Sequence, residues 1–124
     1  MGSGERLRVA VIEDDDDLLR LFGELLTDAG IAVTLAASPD ALPREWDGDV
    51  ILTDAGAHTY DRARIADRVR CLRHRSRARI VLMSTHPEAA RDTRELGVDG
   101  FLATPADIDD VVVAVRAAAG RERA

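Results

Sequence analysis

The chain has 124 residues, about one domain at ~100–200 residues each, so two sizeable domains are excluded. Apolar types make up 46% and charged types 32% of it, a balance that supports one packed core and excludes a disordered chain. The formal charge of −6 argues against nucleic-acid binding by the general surface.

No run approaches the ~20 apolar residues of a membrane span, and the opening MGSGERLR carries no apolar signal stretch, so a cytoplasmic location is expected. The single cysteine, Cys71, cannot form an internal bridge and is expected to be a buried or half-buried thiol. All seventeen basic residues are arginine. Lysine chemistry of every kind, from Schiff bases to phosphate contacts, is therefore absent.

In chain order, Leu7 to Ile12 is a short apolar run rich in branched side chains and reads as the first strand. Leu18, Leu21, Phe22, Leu25 and Leu26 follow at helical spacing, and Gly30 suits the stop. Val33 to Ala36 reads as the second strand. The next segment, Ser38 to Asp49, is the place for a second helix, but Pro43 and its shortness leave room for only a turn or so. Val50 to Thr53 reads as the third strand, and Ile65, Val69 and Leu72 mark the buried side of the third helix. Ile80 to Ser84 is the fourth strand, after which Pro87 and Gly97 frame a short fourth helix from Glu88 to Leu96. Gly100 to Ala103 is a weaker fifth strand, followed by a last helix on Ile108, Val111, Val112 and Val115. Such alternation predicts an open, parallel α/β sheet with helices on both faces. Sites in these sheets lie beyond the carboxyl ends of the strands, where the strand order switches.

The strand ends are acidic. The first strand runs into Glu13, Asp14, Asp15, Asp16 and Asp17, of which Asp15 or Asp16 suits the cap of the first helix. Glu13 and Asp14 stand nearest the sheet. The third strand closes on Asp54, and three carboxylates brought together there suit a hard divalent cation with oxygen ligands, magnesium being the natural candidate. Ser84 ends the fourth strand, where its hydroxyl can hydrogen-bond a group attached at Asp54.

With these residues in place the sequence resembles the receiver domain of two-component response regulators, over Leu7 to about Ala118. The stretch VAVIEDDDDLLRLFGELLTDAG is similar to that family's usual opening. The resemblance implies a flavodoxin-like, three-layer fold, a five-stranded parallel sheet in order 2-1-3-4-5 with five helices, the second short. Residues 1–6 are then a flexible start, 7–118 the receiver, and 119–124 a tail or the beginning of a linker. It implies that Asp54 accepts a phosphoryl group and that Glu13 and Asp14 hold Mg2+ with it, Asp14 directly and Glu13 through water. The backbone carbonyl of Gly56 completes the metal set. Ser84 matches the hydroxyl that follows the phosphate, and Phe101 the aromatic that swings inward with it. The implied role is signal transduction in a phosphorelay, with no enzymatic activity beyond self-phosphorylation and dephosphorylation at Asp54. A histidine kinase or other signalling protein is the implied partner. The resemblance also allows a transcription-regulating effector domain beyond the C-terminus and a homodimer through the fourth and fifth helices.

The match breaks at Thr104-Pro105, where the family has lysine and proline. No arginine stands in this motif either, so three carboxylates without a fixed cation are expected to repel, to raise at least one pKa, and to make magnesium stabilising. A cis Thr104-Pro105 bond is implied by the same resemblance. The loop after Asp54, Ala55-Gly56-Ala57-His58-Thr59-Tyr60, also departs from the family pattern. The resemblance thus implies an atypical receiver with weakened or absent phosphorylation; the alternative is a phosphorylation-independent interaction module, a pseudo-receiver, working through a partner or another ligand.

Residues 62 to 79 hold eight arginines against one acid, Asp67. They form either a docking face for an acidic partner or nucleic acid, or simply a solvated helix face in a chain that uses arginine for lysine; direct nucleic-acid binding is not expected. His58 and His86 stand in loops at the site end, where either can offset the acids or be an ordinary loop residue. Trp46 is expected to pack beneath the short second helix. A haloacid-dehalogenase-type hydrolase or phosphotransferase needs a lysine the chain lacks, and no phosphate loop for a flavin follows the first strand.

Overall fold

The computed structural model describes residues 6–55 and 60–120. Five parallel strands, β1 (Arg8–Ile12), β2 (Ala32–Ala36), β3 (Val50–Asp54), β4 (Arg79–Ser84) and β5 (Gly100–Ala103), form one sheet in the order β2-β1-β3-β4-β5. This is the predicted order, with each strand within a residue of its predicted bounds.

The pleat divides the apolar side chains between two layers. Val9, Val11, Val50, Leu52, Val81 and Met83 face α1 (Asp16–Asp28) and α5 (Ile108–Ala119), which bury Leu26, Val111, Val115 and Ala118 against them. Ala10, Ile12, Ile51, Ile80 and Leu82 face α2 (Arg62–Arg75), which brings Ile65, Val69 and Leu72. Asp15 caps α1, accepting hydrogen bonds from the amides of Asp17 (3.0 Å) and Leu18 (3.1 Å). Gly30 takes a positive φ of 86° just beyond the helix end, the conformation that favours glycine.

The second predicted helix is reduced to a 3-10 turn, Pro39–Ala41. Trp46 packs in the layer beside it, buried, and its carbonyl accepts the Ser76 hydroxyl at 2.6 Å. The predicted fourth helix differs from expectation: it is two short pieces, α3 (Pro87–Arg91) and α4 (Thr93–Leu96), parted at Asp92. There the Asp92 carboxylate accepts the Tyr60 hydroxyl, and aspartate followed by β-branched threonine is a weak helical pair. Gly97 ends α4 in the left-handed region, φ 76°. Cys71 is half-buried, as expected. No helix of the described residues is long and apolar enough to cross a membrane.

Candidate functional site

β1 and β3 are neighbours in the sheet, while the connections that follow them leave on opposite faces, α1 on one and α2 on the other. Such a switch opens a crevice at the carboxyl ends of the two strands. Glu13 follows β1 directly, its amide donating to the Ala36 carbonyl at 3.1 Å, and Asp54 is the last residue of β3. Carboxylate oxygens of Glu13, Asp14 and Asp54 lie within 4.8 Å of one another. This gathers the three acids named from the sequence. Glu13 is buried, Asp54 half-buried and Asp14 exposed, so the cluster opens to solvent on the Asp14 side.

Burial pushes the Glu13 carboxyl up, and its hydrogen bond with Asp54 together with the charges of Asp54, Asp14 and Asp15 push it further, to about 8. Near neutral pH the Glu13 carboxyl is therefore held toward its protonated form. The three oxygens suit a small hard cation, which would compete with the proton on Glu13.

An open cavity of about 590 Å³ extends from the acids, lined by Leu18, Leu21, Phe22 and Leu25 of α1 on one side and by Pro105, Ala106 and Ile108 on the other. Ser84, His86 and Thr104 line it as well. The Ser84 side chain is buried and its oxygen accepts the His86 amide at 3.0 Å, while its own proton can be donated. Thr104 extends β5 alongside β4, its amide donating to the Ser84 carbonyl at 3.0 Å, and the Thr104-Pro105 bond is cis. Phe101 is half-buried in β5 and packs against the layer beneath α2, rather than lining the cavity. Gly56 and His58 lie outside the described residues.

One expectation is overturned. The acids do have a fixed cation: Arg68 of α2 donates from Nη2 to Asp54 Oδ1 and from Nε to Thr53 Oγ1, the latter at 3.3 Å. It reaches the site from the face opposite the cavity. Reading the family motif alone hides this residue, because its contact arrives from another helix. A signal was present nonetheless: Ile65, Arg68, Val69 and Leu72 follow the i, i+3, i+4, i+7 spacing of one helix face, so Arg68 stands on the stripe that points inward.

Four more arginines of the stretch are also engaged within the molecule. Arg62 pairs with Glu95 and Arg70 with Asp67. Arg73 binds the Ala78 and Gly97 carbonyls (3.0 and 2.9 Å) and the Asp99 carboxylate at 2.9 Å, and Arg75 binds the Leu42 carbonyl at 2.9 Å. Burial pushes the Asp99 carboxyl up, but the Ile80 amide, Arg73 and Arg79 outweigh it and hold it below its ordinary value.

No family model matches the chain, and no curated protein matches it. Solved structures do. The non-phosphorylated HemR receiver domain of Leptospira biflexa is 16% identical with a TM-score of 0.71, covering 96% of this chain and 98% of its own. The chemotaxis response regulator CheY4 of Vibrio cholerae is 18% identical with a TM-score of 0.65, covering 92% of this chain and 99% of its own. A response regulator of Burkholderia pseudomallei, solved with a phosphorylated aspartic acid, calcium ion and citrate, is 21% identical with a TM-score of 0.69, covering 93% of this chain and 69% of its own. At these identities the likeness is one of fold, and the fold of this chain is that of the CheY-like receiver domains of response regulators.

Proposed function

We propose that the chain is the signal-receiving module of an atypical response regulator, with Asp54 as phosphoryl acceptor and Glu13, Asp14 and Asp54, joined by the Gly56 carbonyl, as its Mg2+ site. The observation that carries this reading is the convergence of the three carboxylates within 4.8 Å at the switch between β1 and β3. One of the similar structures holds a phosphorylated aspartic acid and a calcium ion, which supports the same chemistry here. The residues fit a divalent cation: three hard oxygen donors, one side open to water.

In the proposed reaction an Asp54 carboxylate oxygen forms a bond to phosphorus while the bond from phosphorus to a histidine nitrogen of a kinase breaks, the imidazole leaving with a proton. Magnesium, when bound, supplies charge neutralisation for the acids and the incoming phosphoryl oxygens. Ser84 donates its hydroxyl proton to a phosphoryl oxygen, passing the change at Asp54 toward β5 and Phe101. Thr104 is neutral, so the phosphorylated state lacks the charge-assisted contact the family lysine makes, commonly worth about 1.5–3 kcal/mol. Weak phosphorylation follows.

Thr104 also favours a second reading, a phosphorylation-independent interaction module. In either case the partners are signalling proteins: a kinase, an effector domain joined beyond α5, or a second copy meeting it through α3, α4 and α5. The internal engagement of Arg62, Arg68, Arg70, Arg73 and Arg75 speaks against direct nucleic-acid binding by that stretch.

Amide NMR spectra of labelled protein, free, with magnesium, and then with beryllium fluoride as a phosphoryl mimic, separate the readings. Magnesium shifts confined to Glu13, Asp14 and Asp54, followed by fluoride shifts that reach Ser84 and Phe101, are the expected result for a working receiver. Magnesium binding with no fluoride response favours the interaction module, and loss of both responses in Asp54→Asn assigns them to this site.

A further inference from the structure

Arg68 differs from its neighbours in where its charge is spent. The side chains of the Arg68–Asp54 pair are 18% and 15% exposed, against 55% and 65% for Arg62–Glu95 and 64% and 70% for Arg70–Asp67. Surface pairs of the latter kind contribute little, whereas a guanidinium withdrawn from water needs its partners. Arg68 has them on both sides of its fork: Asp54 Oδ1 at one nitrogen, and at Nε the fully buried Thr53, whose hydroxyl in turn donates to the Asp54 carbonyl at 3.1 Å.

Asp54 is thus gripped from the α2 face while its other side meets the cavity. One guanidinium is thereby fixed on the carboxylate that, with those of Glu13 and Asp14, makes up the acidic cluster. A divalent cation arriving at Asp54 meets that guanidinium on the same carboxylate, and like charges a few ångströms apart repel. A planar, permanently charged fork suits such a post better than any titrating group.

We propose that Arg68 is the resident cation of this site, a positioning residue that holds the Asp54 carboxylate and competes with divalent metal for it. Part of the acidic charge is then offset before metal arrives, which helps to keep three acids together in a chain with no lysine. The inference rests on the reading of Glu13, Asp14 and Asp54 as the magnesium site.

The test is magnesium affinity, measured by calorimetry and followed in amide spectra, for the wild-type chain, Arg68→Met and Arg68→Lys. Removing the charge is expected to tighten magnesium binding at least tenfold, and the lysine variant is expected to stay near wild type. A merely structural role predicts the reverse, since a disturbed pocket binds metal more weakly. Equal or weaker binding by a folded Arg68→Met overturns the inference and leaves the magnesium site standing. Failure of both wild type and Arg68→Met to bind magnesium overturns the magnesium reading, and this inference with it. Should Arg68→Met not fold, the Arg68 Nε–H signal of the wild-type chain is followed during the magnesium titration. Release of that proton into faster exchange supports competition, and a signal unmoved at saturation overturns it.

Discussion

Glu13 shows how one buried residue sets a pH dependence for the whole chain. Its folded-state pKa, about 8, lies above its ordinary value of 4.5, so the folded protein keeps a proton that the unfolded chain gives up. That contribution is full below pH 4.5 and is lost as pH rises through about 8, with a slope of at most about 1.4 kcal/mol per pH unit. Metal-free protein is therefore expected to melt at a lower temperature at ~pH 9 than at ~pH 5.5, and Glu13→Gln is expected to flatten that trend. Thermal denaturation across the range checks both; a wild-type melting temperature that rises toward alkaline pH contradicts the assignment. Asp99 works in the opposite sense, its lowered pKa contributing stability that is lost as pH falls below its ordinary 3.8. A different constraint acts at Gly48, where a Cβ would stand 2.1 Å from the buried Trp46 ring. Gly48→Ala is expected to cost about 1–3 kcal/mol in urea denaturation and to change the tryptophan emission.

Among the elements, α2 carries two unrelated duties on one helix. Ile65, Val69 and Leu72 bury its stripe, Arg68 reaches up to the site, and Arg73 ties its last turn to β4 and to the end of α4 through three hydrogen bonds. Arg73→Ala is expected to destabilise the fold by about 2–3 kcal/mol, because it strips a charged donor from Asp99 and from two carbonyls at once. Arg70→Ala, on the exposed side of the same helix, should change stability by less than about 0.5 kcal/mol. Chemical denaturation of the two variants side by side tests the claim that the arginine stretch is mainly internal scaffolding, not a docking face; equal effects contradict it. At the start of α1, Asp15→Ala is expected to cost about 1 kcal/mol, since two amide donors lose their acceptor.

For the molecule as a whole, the acids, cavity and hydroxyls sit at one end of the sheet because every parallel strand delivers its carboxyl terminus there. Magnesium bound only by the folded state is expected to raise the melting temperature by mass action. The increment should be larger near pH 7 than near pH 5, where the cation must displace more of the proton held by Glu13. Calorimetric scans with and without magnesium measure it, and an increment that survives Asp54→Asn places the ion elsewhere. Thr104→Lys should add a second positive charge beside Asp54 in the cavity. It is expected to weaken magnesium binding and to strengthen the response to beryllium fluoride, both read in the same NMR titrations.

Local pattern in the chain was enough for the strands, for their order through the family resemblance, and for the acids and the hydroxyl that close β1, β3 and β4. It was enough because apolar runs and strand-end residues are read within a few positions. It also offered Asp15 or Asp16 as the cap of α1, of which the structure uses Asp15, and put Leu26, Val69 and Val115 on the buried helix stripes. Tertiary structure alone decided the rest. The predicted fourth helix parts at Asp92, whose carboxylate accepts the hydroxyl of Tyr60 from far away in the chain. Which carboxyl is pushed up, Glu13 with a pKa of about 8, follows from its burial against Asp54. Arg68, fourteen positions beyond Asp54, donates to its carboxylate from another helix. Distance along the chain conceals each of these contacts, and electrostatics depends on distance in space.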